Sequence, residues 1–202
     1  FGVRAKQHVL KNKYDLVIDN QSVSYGMEYI QILTPLIEVI HHPITMDLKY
    51  ELSTSNNLIY RFSRHRWYSF LRMQKKVAPL LNNILTPSNN SKKDISKEFH
   101  VKPENISVIH NAVDSSIFRP YPEIKNLPQR LITTASADVP LKGLDFSLYA
   151  LADLSKEFQD IELLVIGTLR KGGHTDRLIK KLNLNERVTF KTGVTKDEIA
   201  QE

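Results

Sequence analysis

"RLITTASADVPLKGLDFSLYALADL", residues 130–154, changes character in its middle. Leu131, Ile132, Thr133 and Thr134 form an apolar, β-branched run that reads as a strand. The run stops at two small residues, Ala135 and Ser136. A polar loop with Pro140, Lys142 and Gly143 follows. Leu144, Phe146, Leu148, Leu151 and Leu154 then suggest an amphipathic helix. This is a β-to-α turn, and in open parallel sheets such turns border the ligand sites. On spacing alone Lys142 is a solvated lysine. Beside a helix N-terminus, with its free N–H groups and partial positive charge, it is also a candidate phosphate ligand.

The same alternation continues outward. "IELLVIG" (161–167) and "RVTFKTG" (187–193) read as strands, with helices expected over 144–157 and 174–182 and another from about Lys196. Strands separated by helices of this length imply a parallel sheet with helical crossovers. Toward the N-terminus the strands are "YDLVIDN" (14–20), "IEVIHH" (37–42), "NNILTPS" (82–88) and "ISVIHNAV" (106–113). A helix fits "VSYGMEYIQILT" between the first two, and a long amphipathic stretch runs from about Leu58 to Leu81. Ser91 with Asp94 has the form of a capping signal before "ISKEF". Pro120, Pro122 and Pro128 break the pattern and mark a boundary. The expected division is 1–117, a linker at 118–128, and 129–202.

At 202 residues and 41% hydrophobic, the chain can build one large core or two small ones. It contains no cysteine. Disulfides, thiolate metal sites and a cysteine nucleophile are therefore excluded, and a reducing compartment fits. No apolar run is long enough for a transmembrane span, and the start does not resemble a signal peptide. The formal net charge of +6 resides wholly in residues 1–120, while 121–202 are balanced. A basic half could meet an anionic membrane, nucleic acid or an acidic substrate. All the glycines but Gly2 and Gly26 lie after residue 140, at or near the ends of apolar runs.

Four stretches, taken in order, resemble the family 4 glycosyltransferases: "IHHPIT" (40–45), "ENISVIHNAVDSSIFRPYPE" (104–123), "ASADVPLKGLDFSLYALADL" (135–154) and "ELLVIGTLRKGGHTDRLIKKLNLNERVTFKTGVTKDEI" (162–199). The resemblance implies an α/β chain with two Rossmann-like domains of GT-B type, both incomplete. Residues 1–117 would be part of the acceptor-side domain and 129–202 the first half of the nucleotide-sugar-binding domain. It implies a retaining enzyme that moves a sugar from a nucleoside-diphosphate sugar to a hydroxyl acceptor in glycan or glycolipid synthesis. Neither cofactor nor metal is expected. The family's glycine-rich first loop would precede Phe1 and its Glu-x7-Glu element would follow Glu202, so the chain is expected to be the middle of a longer enzyme.

The resemblance also implies residue roles. A histidine at the end of the second strand serves near the donor sugar; His41 matches best and His42 is its alternative. Lys142 and Gly143 belong to the donor-phosphate loop. Ser136 stands where the family often has an arginine, and Ala112 where it usually has a glycine. Gly167 would allow close approach of the donor, and Thr192, Gly193 and Val194 would border the base. "RKGGH" (170–174) lacks the spacing of known phosphate loops and reads as a turn. Asp47 is given no role.

"RFSRHRWYSFLRMQKK" (61–76) interleaves basic and aromatic residues. It reads as a domain helix with a solvated basic face, or as a peripheral contact with a membrane or a lipid-linked acceptor. No nucleic-acid module accompanies it, and nucleic acid is not an expected partner. The expected location is cytoplasmic, with the inner membrane face as the place of such contact. Rival readings are a non-catalytic nucleotide-sugar-binding module and a GT-B nucleotide-sugar epimerase.

Overall fold

A computed structural model describes residues 2–202 except Thr54, Ser55, Ser136, Pro140 and Leu141. Two units divide the chain, residues 1–112 and 113–202.

The first unit holds four parallel strands in chain order: β1 (Val17–Asn20), β2 (Leu36–Val39), β3 (Ile84–Thr86) and β4 (Ile106–Val108). The register places Val17 against Leu36, Glu38 against Ile84, and Ile84 against Ile106. Parallel neighbours need crossovers. These are supplied by α2 (Met27–Leu33), by α3 (Thr45–Ser53), α4 (Leu58–Trp67) and α5 (Leu71–Val77), and by α6 (Asn89–Phe99); α1 (Gly2–Lys11) precedes β1. Val23, Met27, Ile30, Ile40, Leu81, Ile84, Ile95, Phe99 and Ile106 form the buried core.

The second unit repeats the pattern with β5 (Arg130–Thr133), α7 (Leu144–Leu154), β6 (Glu162–Ile166), α8 (His174–Lys181), β7 (Val188–Lys191) and α9 (Lys196–Gln201). Its sheet is parallel in the order β5-β6-β7, with Arg130 opposite Glu162 and Leu163 opposite Val188. Leu144, Leu148 and Leu151 of α7 pack with Leu163 and Val165 of β6 and Ile179 of α8.

The strands, and helices α2, α7 and α8, occur where the alternation placed them, but shorter; α6 is longer than the expected "ISKEF", and α1 and α3 were not expected. Two details differ in kind. The stretch 58–81 is not continuous: 3₁₀ turns at Tyr68–Phe70 and Ala78–Leu80 separate and follow α4 and α5. The N-cap of α6 is Ser88, not Ser91; its Oγ accepts the N–H of Ser91 at 3.0 Å. Ser91 is thus the third helical residue, and the true cap directly follows the Pro87 that ends the strand.

Candidate functional site

Each unit presents candidate residues at the carboxyl ends of its own parallel strands. In the first unit β2 stops at Val39, so His41 and His42 lie in the turn before Pro43. Both are exposed. Two consecutive residues from the end of β1 hold His41. The Asn20 Oδ1 lies 2.9 Å from its Nε2. The Gln21 Oε1 accepts its backbone N–H at 2.6 Å, and the Gln21 Nε2 donates to the carbonyl of His42 at 3.1 Å. The His42 ring instead faces Asp47, with Nε2 3.4 Å from Oδ2. Asp47 sits in the first turn of α3 and thereby acquires a partner that the sequence did not reveal.

In the second unit three loops leave one sheet edge, because β5, β6 and β7 are parallel. The first carries Lys142 and Gly143; Ser136 of the same loop lies outside the described residues. Gly143 is the N-cap of α7 with φ 71°, and among the described residues no side chain caps the helix there. A Cβ at Gly143 would touch only Phe146, at 3.9 Å, so the positive φ rather than space favours glycine. The Gly143 carbonyl accepts the N–H groups of Phe146 and Ser147. Lys142 is exposed and, among the described residues, its ammonium has no hydrogen-bond or ion-pair partner. A helix start with no side-chain cap, beside a lysine with no partner among the described residues, is an arrangement that can take an anion.

The start of α8 differs. The Asp138 Oδ1 accepts the N–H of Thr175 at 2.8 Å, while the Thr175 Oγ1 accepts the N–H of Asp138 at 2.9 Å. The N–H of Gly172 goes to the Asp176 Oδ2, and that of Gly173 to the Arg170 carbonyl. Lys180, and after it this Gly172 amide, hold the Asp176 carboxyl below the usual carboxylate range. A Cβ on Gly173 would come within 2.2 Å of the Asp138 Oδ2. Within "RKGGH" the Asp176 carboxylate thus takes the Gly172 amide and the Arg170 carbonyl the Gly173 amide, in keeping with a turn. His174 reaches back to α7, its Nε2 2.7 Å from the Asp145 Oδ2.

Gly167 directly follows β6, and its N–H donates to the Lys191 carbonyl of β7 at 2.9 Å. Thr192 and Gly193 are exposed after β7, and Val194 is half-buried. Thr195 then caps α9 in a reciprocal pair with Glu198. A cleft of about 670 Å³ between 124–132 and α9 includes Val194 but not Lys142, Gly143 or Gly167. Its Arg130 and Lys191 are both paired with Glu202. The parallel sheet therefore places Lys142, Gly143, Gly167, Thr192 and Gly193 along one edge. The sequence reading missed Asn20 and Gln21. The only signal was an uninterrupted polar run, "DNQS", at the end of an apolar strand.

Residues 1–117 match the model of Glycosyltransferase Family 4. The chain is 37% identical over 204 residues to the MMP α-(1→4)-mannosyltransferase of Mycolicibacterium hassiacum, a match covering 99% of this chain and 48% of that protein. Among solved structures, HepE of Anabaena in complex with UDP and glucose superposes with a TM-score of 0.64 at 18% identity, over 98% of this chain and 52% of that one. Sucrose-phosphate synthase of Thermosynechococcus elongatus gives 0.66 at 16% identity, over 98% and 50%. The chain thus spans about half the length of these relatives. The structural likenesses establish the fold, which is α/β of GT-B type. With the family model matching more than half of its length, the chain belongs to glycosyltransferase family 4.

Proposed function

We propose that the protein transfers a sugar from a nucleoside-diphosphate sugar to a hydroxyl acceptor, with retention of configuration, and that the sugar is mannose. The observation that carries this reading is the 37% identity to a mannosyltransferase across 99% of the chain. The geometry supplies parts with the right chemistry. Lys142 and the uncapped start of α7 offer positive charge to a departing diphosphate, so that no metal is required in this reading. His41 serves at the donor sugar. Gly167 permits close approach of the donor, and Thr192, Gly193 and Val194 border the base.

Calorimetric titration of this chain with UDP, GDP and ADP, in parallel with Lys142→Ala, tests the donor half of the proposal. One diphosphate binds selectively, and the variant binds it about tenfold more weakly, as expected for the loss of one charge-assisted hydrogen bond. Equal binding by both proteins removes Lys142 from the site. Incubation of the full-length protein with UDP-mannose and GDP-mannose, followed by determination of the product's anomeric configuration, tests mannose and retention together.

A second reading concerns a peripheral contact with an anionic membrane through residues 61–76. It is favoured by α4, which buries none of its residues fully. Leu58, Ile59, Phe62 and Trp67 are each at least 68% exposed. The solvated side of this helix is thus apolar as well as basic.

A further inference from the structure

Gln21 has a left-handed backbone, φ 69°, and so does Val23, φ 44°. For a β-branched residue this is a strained conformation, costing about 1–3 kcal/mol and persisting only where the surroundings over-determine it. The surroundings here do so from three sides. The Asp19 Oδ2 accepts the N–H and hydroxyl of Ser22, at 3.1 and 2.5 Å, and the N–H of Val23 at 3.2 Å. The Glu38 Oε1 accepts the same Val23 N–H at 3.2 Å. From α5, the buried amide of Gln74 donates to the carbonyls of Gln21 and Ser22, at 3.2 and 3.4 Å. Val23 is fully buried. The loop is therefore a built and strained support, and it ends in two side chains that grip His41.

We propose that Asn20 and Gln21 are positioning residues that set the orientation and tautomer of His41. The inference rests on the reading that His41 acts at the donor sugar. A side-chain amide oxygen only accepts hydrogen bonds. The Asn20 Oδ1 at 2.9 Å therefore requires the proton on His41 Nε2 and leaves the Nδ1 lone pair free in the neutral ring. Gln21 fixes the backbone that carries the ring, bracketing the His41–His42 segment by one N–H and one carbonyl. Together they hold both ends of the lever, ring and main chain, from the neighbouring strand.

The test uses the full-length protein with His41→Ala, Asn20→Ala, Asn20→Asp and Gln21→Gly. Glycine at position 21 keeps the positive φ at little steric cost while removing the grip. His41→Ala is expected to lower kcat by about 10²-fold. Asn20→Ala and Gln21→Gly are expected to lower kcat by about 10- to 100-fold with the donor KM unchanged, because misorientation of a reacting group acts on the chemical step. Asn20→Asp, which keeps an acceptor oxygen, restores most of the rate. Independently of turnover, ¹⁵N shifts of the His41 ring are expected to show the Nε2–H tautomer in the parent protein and a mixture in Asn20→Ala. Impaired His41→Ala together with wild-type kcat in Asn20→Ala and Gln21→Gly overturns the inference alone, as does an Nδ1–H tautomer in the parent. A wild-type rate in His41→Ala instead overturns the role given to His41.

Discussion

Glu38 and Asp19 face one another across β2 and β1, as register partners in a parallel pair. Both are buried, Glu38 completely. Two carboxylates cannot be ionised in such a place without large cost. Burial first, and then the Asp19 carboxylate beside it, push the Glu38 carboxyl up to about 9, with the Val23 N–H pulling the other way. Among the described residues the Glu38 Oε2 has no hydrogen-bond partner, which a protonated acid tolerates better than a carboxylate. The raised value means that the folded state holds this proton more tightly than the unfolded chain. Its stabilising contribution is complete below about pH 4.5 and is lost progressively as the pH rises toward about 9. Glu38→Gln mimics the protonated acid and cannot lose that proton. The variant is expected to gain at least about 2 kcal/mol relative to the parent between pH 5 and pH 9, read from urea midpoints at each pH. A gap that does not widen with pH refutes the protonated assignment.

At the scale of elements, the capping of helix starts separates a candidate anion site from an occupied one. Among the described residues the start of α7 carries no side-chain cap, whereas the start of α8 is capped from a distance by Asp138, 37 residues earlier in the chain. Asp138 has φ 57°, a conformation that aspartate tolerates better than most residues. Asp138→Gly keeps that backbone and removes the cap, and is expected to cost about 1 kcal/mol in urea unfolding. Asp138→Asn, which retains an acceptor oxygen, should lie close to the parent. Unchanged stability of the glycine variant would show that the cap contributes nothing. This contrast also marks how far the sequence could be read. Lys142 and Gly143 were legible because a strand, a glycine and a helix follow one another within a few residues. The strands were legible for the same reason, since apolar runs such as "ELLVI" declare themselves locally. Asp138 with Thr175, and Asn20 and Gln21 with His41, were not legible, because each pairing spans 20 residues or more. Local pattern carries no information on which polar side chain will meet which. The break of 58–81 into separate helices was not read either: Pro79 lies within the second 3₁₀ turn, and nothing local announced the first, at Tyr68–Phe70.

Across the whole molecule, charge and exposed apolar surface coincide in the first unit. The net charge of +6 belongs to residues 1–120, and the most exposed large apolar side chains of α4 lie in the same part. Arg66, Arg72, Lys75 and Lys76 are exposed on the same short stretch as Trp67. Among the described residues no helix is long and apolar enough to cross a membrane. Contact with a bilayer through this stretch would therefore be interfacial, combining shallow apolar insertion with attraction to anionic headgroups. The two contributions predict different responses. Vesicles of phosphatidylglycerol are expected to bind the chain, whereas vesicles of phosphatidylcholine alone should bind it at least tenfold more weakly. Raising the salt from about 0.1 to 1 M shortens the screening length from about 10 to 3 Å and should release most of the bound protein. Phe62→Ser with Trp67→Ser should weaken binding at low salt as well, because attraction alone would then remain. Co-sedimentation measures all three. Equal binding to both lipids removes the attraction to anionic headgroups, and binding to neither removes the membrane from the proposed partners and leaves the basic stretch as a solvated face.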